Sequence, residues 1–121
     1  VNIFAGKNIS LLLDKKGILY GLLDYENFNI DEFRKLSPLK FTHVSVSFDF
    51  FIAKSKNNHF YGAGSNIYGQ IGSKNFSTNI KEISMIPLKG VMNNSKIDMF
   101  AAGHFHSVFY SAEEQEVYAM G

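Results

Sequence analysis

The chain has 121 residues, a formal net charge of +1, 45% hydrophobic and 15% aromatic residues, and no Cys. That size and apolarity suffice for one ordinary domain and exclude intrinsic disorder. The missing Cys removes disulfides and thiolate metal sites, and the near-zero charge argues against a polyanion reader.

In chain order, the first unit opens on Phe4-Ala5-Gly6. It continues with the apolar run Ser10-Leu11-Leu12-Leu13, a polar turn at Asp14-Lys15-Lys16-Gly17, and Ile18-Leu19-Tyr20. This is a strand, a small-residue corner and a β-hairpin. The connection between Asp24 and Leu39 contains Ile30-Asp31-Glu32-Phe33-Arg34-Lys35-Leu36. That stretch predicts one short helix, capped by Asn29 and stopped before Pro38.

The second unit repeats the plan with Val44-Ser45-Val46-Ser47, then Phe50-Phe51-Ile52-Ala53, a turn at Lys56-Asn57-Asn58, and Phe60-Tyr61-Gly62-Ala63-Gly64. A glycine-rich stretch follows, Ser65-Asn66-Ile67-Tyr68-Gly69-Gln70-Ile71-Gly72. Alternation in Ile80-Lys81-Glu82-Ile83-Ser84-Met85-Ile86 predicts a further strand before Pro87. The third unit runs Ala101-Ala102-Gly103, His106-Ser107-Val108-Phe109-Tyr110, a turn around Glu113-Glu114-Gln115, and Glu116-Val117-Tyr118-Ala119-Met120-Gly121.

Offsets tie the three together. Gly6 precedes Tyr20 by 14 positions, Ser47 precedes Tyr61 by 14, and Gly103 precedes Tyr118 by 15. Repetition at this scale points to stacked β units, at roughly 1–40, 41–96 and 97–121. The chain begins at Val1 and ends at Gly121 directly after a strand-like run, and reads as a fragment.

The corner Ala102-Gly103-His104-Phe105-His106-Ser107, the segment Asn66-Ile67-Tyr68-Gly69-Gln70-Ile71-Gly72 and the ending Val117-Tyr118-Ala119-Met120-Gly121 resemble the regulator of chromosome condensation repeat. Phe60-Tyr61-Gly62-Ala63-Gly64 fits the same pattern, with Ala63 and Met120 where the family has Trp. The first unit departs from it, with Leu23 at the terminal Gly, and the second has Ser47 at the Gly corner. The resemblance implies an all-β fold: two to three blades of a β-propeller, each an antiparallel sheet of four strands. Gly6, Tyr20, Tyr61, Gly64, Asn66, Gly69, Gln70, Gly72, Gly103, His106, Ser107, Tyr118 and Gly121 then carry the structural repeat.

Other chemistries fare worse on these residues. Gly64 and Gly69 have P-loop spacing, but Gln70 and Ile71 stand where Lys and Ser/Thr must be, and Ile67 spoils a dinucleotide fingerprint. His104 and His106 are two possible ligands without a nearby carboxylate or thiol, so no metal site is assigned. Asp98, His106 and Ser107 are triad residue types without a nucleophile elbow, and no catalytic residue is assigned. No cofactor is expected.

The twelve basic residues are scattered along the chain and include one Arg, Arg34, which disfavours nucleic acid as a direct partner. Apolar runs are too short to span a bilayer and no signal-peptide pattern is present, so membrane association is not expected and an intracellular site, cytoplasm or nucleus, is.

The expectation is a non-catalytic protein-interaction module, because propellers present loops on a rigid disc. Loop aromatics Tyr25, Phe28 and Tyr68 are its candidate partner-binding residues. The resemblance also implies an alternative, guanine-nucleotide exchange on a Ran-like small GTPase. A third reading is a regulatory segment of a larger enzyme such as a ubiquitin ligase or kinase. Two to three blades would leave open sheet edges, through which self-association is expected.

Overall fold

The computed structural model describes residues 1–7, 9–23, 34–71, 80–85 and 96–121. Among them every regular element is a strand, and they form three antiparallel meanders in chain order. The first sheet holds β1 (Asn2–Ala5), β2 (Ile9–Leu13), β3 (Leu19–Leu23) and β4 (Arg34–Lys35). The second holds β5 (Phe41–Val46), β6 (Phe50–Ser55), β7 (Phe60–Gly64) and β8 (Ile80–Met85). The third holds β9 (Met99–Ala102), β10 (Ser107–Ser111) and β11 (Glu116–Met120).

The strand expected from the alternation at 80–86 is β8, paired antiparallel with β7. The short helix expected before Pro38 is not formed at its described end. Arg34 and Lys35 instead pair with Gly21 and Tyr20, and the Leu36 amide donates to the Leu19 carbonyl at 2.9 Å. Pairing there covers the edge of β3 and lets Leu36 pack against the core, which outweighs weak local helix propensity. Residues 24–33 of that connection lie outside the described residues.

The corners are built alike. Each donates a backbone amide to the carbonyl three residues on: Gly6 to Ile9 at 2.7 Å, Ser47 to Phe50 at 2.8 Å, and Gly103 to His106 at 2.7 Å. The hairpin turns at the other end each place one residue at positive φ: Gly17 at 86°, Asn58 at 64° and Gln115 at 53°.

Register explains the matched offsets. Leu12 pairs with Tyr20, Ala53 with Tyr61, and Phe109 with Tyr118, each partner standing at the same distance from its corner. The extra residue of the third unit falls in its turn. Because side chains alternate across a strand, equivalent positions face the same way in each sheet.

Two cores result. Ile9, Leu11, Leu13 and Leu19 of the first sheet pack against Phe41, Phe51, Ala53 and Ala63 of the second. Phe50, Ile52 and Phe60 pack against Phe109 of the third, with Ile71 and Ile97 filling the same layer. The run Phe50-Phe51-Ile52-Ala53 lacks a polar face because its strand lies between two sheets. Phe60 meets Phe100 and Phe109 edge to face at 5.2 and 5.3 Å. Burying each such ring contributes about 2–3 kcal/mol.

The outward faces of the end sheets remain apolar. On the third sheet Met99, Tyr110 and Val117 form one cross-strand row, and Ala101, Val108 and Ala119 the next. On the first sheet the corresponding row is Ile3, Leu12 and Tyr20. Met99, Val117 and Ile3 are exposed.

Candidate interaction surface

Three antiparallel sheets in tandem put all three corners at one end of the stack. Lys7, Phe48 and His104 are the residues directly after the corner positions Gly6, Ser47 and Gly103. They line up from blade to blade. The Lys7 ammonium lies 5.0 Å over the Phe48 ring, and the Phe48 and His104 rings are 5.2 Å apart. The ladder continues from His104 to Phe105 at 4.2 Å and from Phe105 to Tyr68 at 5.1 Å.

These rings are not core. Phe48, Phe105 and Tyr68 are 43%, 52% and 57% exposed, with Ile67 beside Tyr68 at 46%. Ring–ring contacts of this kind contribute about 0.5–1.5 kcal/mol each, enough to hold the rings in register without burying them. A contiguous patch of exposed aromatics on a rigid support is the composition of an interface anchor.

The support beneath is polar and tightly bonded. Lys7 donates its amide to the Phe48 carbonyl at 3.0 Å, joining the first two corners. Ser45 Oγ accepts the Ala102 amide at 2.9 Å, and Ser47 Oγ donates to the Gly103 carbonyl, joining the second and third sheets. Ser107 Oγ, wholly buried, donates to the Gln70 carbonyl. Gln70 Oε1 accepts the Tyr68 amide at 2.9 Å, which fixes the backbone of the last ring in the ladder. Asn66 Oδ1 accepts the Ile71 amide at 2.9 Å, closing the turn in which Gly69 takes φ of 75°.

No protein-family model and no curated protein matches the sequence. Solved structures match the fold. Human WBSCR16 superimposes with a TM-score of 0.82 over 100% of this chain and 32% of its own, at 23% identity. Yeast RCC1 (Prp20) bound to Kap60 gives 0.77 over 98% and 29%, at 21% identity. The fold is a regulator-of-chromosome-condensation propeller. A second structure of Prp20p from Saccharomyces cerevisiae, described with its binding properties to Gsp1p and histones, gives 0.76 over 98% and 30%, at 20% identity. The chain thus spans about a third of the regulator-type propellers it matches.

In this fold the residues of the repeat pattern occupy distinct places. Gly6, Gly64, Gly103 and Gly121 occupy positions where an added Cβ would approach neighbouring atoms to 2.5 Å or less. Asn66, Gln70 and Ser107 are buried in the bonds given above. Tyr61 packs against the first core and Tyr118 against the second. Tyr20, at the equivalent position, lies on the outward face of the first sheet. The His106 ring covers Gly103.

Other pairings dissolve. His104 joins the ring ladder while His106 lies over Gly103, and no group of three metal-ligating side chains occurs among the described residues. Asp98 Oδ2 accepts the Ala112 amide at 2.7 Å and Ser107 is committed to Gln70, so neither serves His106. Of the candidate interface residues, Tyr68 is in the ladder, whereas Tyr25, Phe28 and the repeat residue Gly72 lie outside the described residues. Sequence reasoning missed Lys7, Phe48, His104 and Phe105. Their signal was positional, since three of them directly follow a corner. Among the described residues no helix is long and apolar enough to cross a membrane.

Proposed function

We propose that this chain is a non-catalytic protein-interaction module, and that it engages its partner through the ring ladder Lys7–Phe48–His104–Phe105–Tyr68. The repeat units at roughly 1–40, 41–96 and 97–121 each supply a corner or loop to that surface. The observation that carries the reading is the ladder itself: repeat-equivalent residues of successive blades in ring contact yet exposed. Exposed aromatics fixed by a bonded backbone lose little freedom on binding, which favours affinity.

The test uses the parent protein. Cross-linking from a photoreactive group at Phe48 identifies the partner, and binding is then measured with Phe105→Ala/Tyr68→Ala. Loss of about 2 kcal/mol or more of affinity, with the fold intact by circular dichroism, supports the reading. Unchanged affinity removes it.

The likeness to Prp20p, which is described with Gsp1p binding, favours one second reading, nucleotide exchange on a small GTPase. A nucleotide-release assay decides between them. Acceleration of release by the parent protein would replace the non-catalytic reading.

A further inference from the structure

Several basic residues that are spread along the chain come together in space. Lys15, Lys16, Lys40 and Lys56 line one open cleft of about 240 Å³, with Gly17, Phe41 and Thr42 as its remaining walls. It lies at the turn end of the first two sheets, opposite the ring ladder.

Three chain segments hold the cleft: the β2–β3 turn, the entry to β5 and the β6–β7 turn. Backbone bonds lace them together, Phe41 donating to the Gly17 carbonyl at 2.7 Å and Lys56 to the Lys40 carbonyl at 2.8 Å. Gly17 has φ of +86°, and a Cβ there would stand 2.9 Å from the Phe41 carbonyl oxygen, so the first turn sits directly on the entry to β5. The single carboxylate in these three segments, Asp14, accepts the amides of Lys16 and Ile18 through Oδ1 at 2.9 and 2.8 Å. The four lysines are exposed, and the backbones of Lys16, Lys40 and Lys56 are held by these bonds.

Four like charges brought to one cleft repel unless an anion joins them. The amides of Lys16, Gly17, Phe41 and Lys56 are already bonded, so an anion would meet ammonium groups rather than a backbone nest. Lysine acts as a point charge, suited to tetrahedral oxyanions of high charge density more than to planar carboxylates, which favour the arginine fork. We propose that this cleft binds an oligophosphate, with two or three phosphoryl groups held by Lys15, Lys16, Lys40 and Lys56. The cleft takes a phosphate chain and leaves any attached organic group in solvent.

Isothermal titration of the 121-residue chain at low ionic strength tests this, with inorganic tripolyphosphate, ATP and a Glu-rich peptide of matched charge as separate arms. Tripolyphosphate is expected to bind one to one. Lys40→Gln/Lys56→Gln should weaken it by about 10-fold, the sum of two exposed ion pairs. The charge-matched Lys35→Gln/Lys96→Gln, outside the cleft, should change it less than about 2-fold. ATP should bind within a few-fold of tripolyphosphate. Absent tripolyphosphate binding, equal loss in the two double variants, preferred binding of the peptide, or ATP binding more than about 10-fold tighter would each overturn the proposal. Melting curves keep the result interpretable, because a ligand of the folded state raises the wild-type transition.

Discussion

Replacing Gly64 by Ala tests the blade geometry at its tightest point. Gly64 has φ of +109°, and a Cβ there would lie 2.3 Å from the Asp49 carbonyl oxygen, 2.6 Å from Phe50 Cα and 2.9 Å from Phe50 Cβ. Those atoms belong to or adjoin β6, the strand whose Phe50 pairs with Gly64, so the methyl cannot be relieved without opening the pair. Left-handed backbone costs about 1–2 kcal/mol for a non-glycine residue, and overpacking about 1–3 kcal/mol more. The sum, roughly 2–5 kcal/mol, is a large share of the ~5–15 kcal/mol that holds a domain folded.

Gly103→Ala is the internal comparison. There the three atoms nearest the added methyl all belong to the His106 ring, at 2.5–2.9 Å, and that exposed ring can turn away. Its cost should stay below about 1.5 kcal/mol and vanish in a His106→Ala background. Urea denaturation followed by tyrosine fluorescence and circular dichroism measures both, since the chain has six Tyr and no Trp. If Gly64→Ala leaves the midpoint unchanged, or Gly103→Ala costs as much, the steric reasoning fails.

Three further outcomes follow from the packing. Ser107→Ala leaves the Gln70 carbonyl without its buried donor and should cost about 1–3 kcal/mol in the same urea titration. Phe60→Ala removes the ring shared by Phe100 and Phe109 and should cost about 3–5 kcal/mol, read as a fall in midpoint at constant slope. The apolar outward faces of the first and third sheets should make the isolated chain self-associate, as a concentration-dependent sedimentation coefficient. Met99→Lys/Val117→Lys should suppress that dependence, and a wild type that sediments as a monomer at all concentrations contradicts it.

The repeat plan was legible because local chemistry writes it. Corners need small residues, turns need a residue that tolerates positive φ, and strands alternate; Gly6, Ser47, Gly17 and Asn58 all show this. The buried run Phe50-Phe51-Ile52-Ala53 is explained only by the sheets on both sides, which no local pattern reveals. Arg34–Lys35 went astray for a related reason: a charged stretch with helical spacing was claimed by the edge of β3, a partner more than ten residues away.

The surfaces were harder still. Tyr68 was readable as a loop aromatic, but Phe48 and His104 become neighbours only when blades stack, although they are far apart in sequence. The lysine cleft was invisible for the same reason, since its four charges come from three separate segments. Counting charges along the chain gave a dispersed picture that folding overturns.

Both proposed surfaces require the sheets to stack as adjacent blades, so the most direct test is of that stacking. Nuclear Overhauser contacts in the wild-type chain report it without any substitution. The account predicts contacts from the Phe60 ring to the rings of Phe100 and Phe109, and from Phe51 methylene and ring protons to Leu11 and Leu13 methyls. Intact strand pairing within each sheet, with neither set of contacts between sheets, would contradict it.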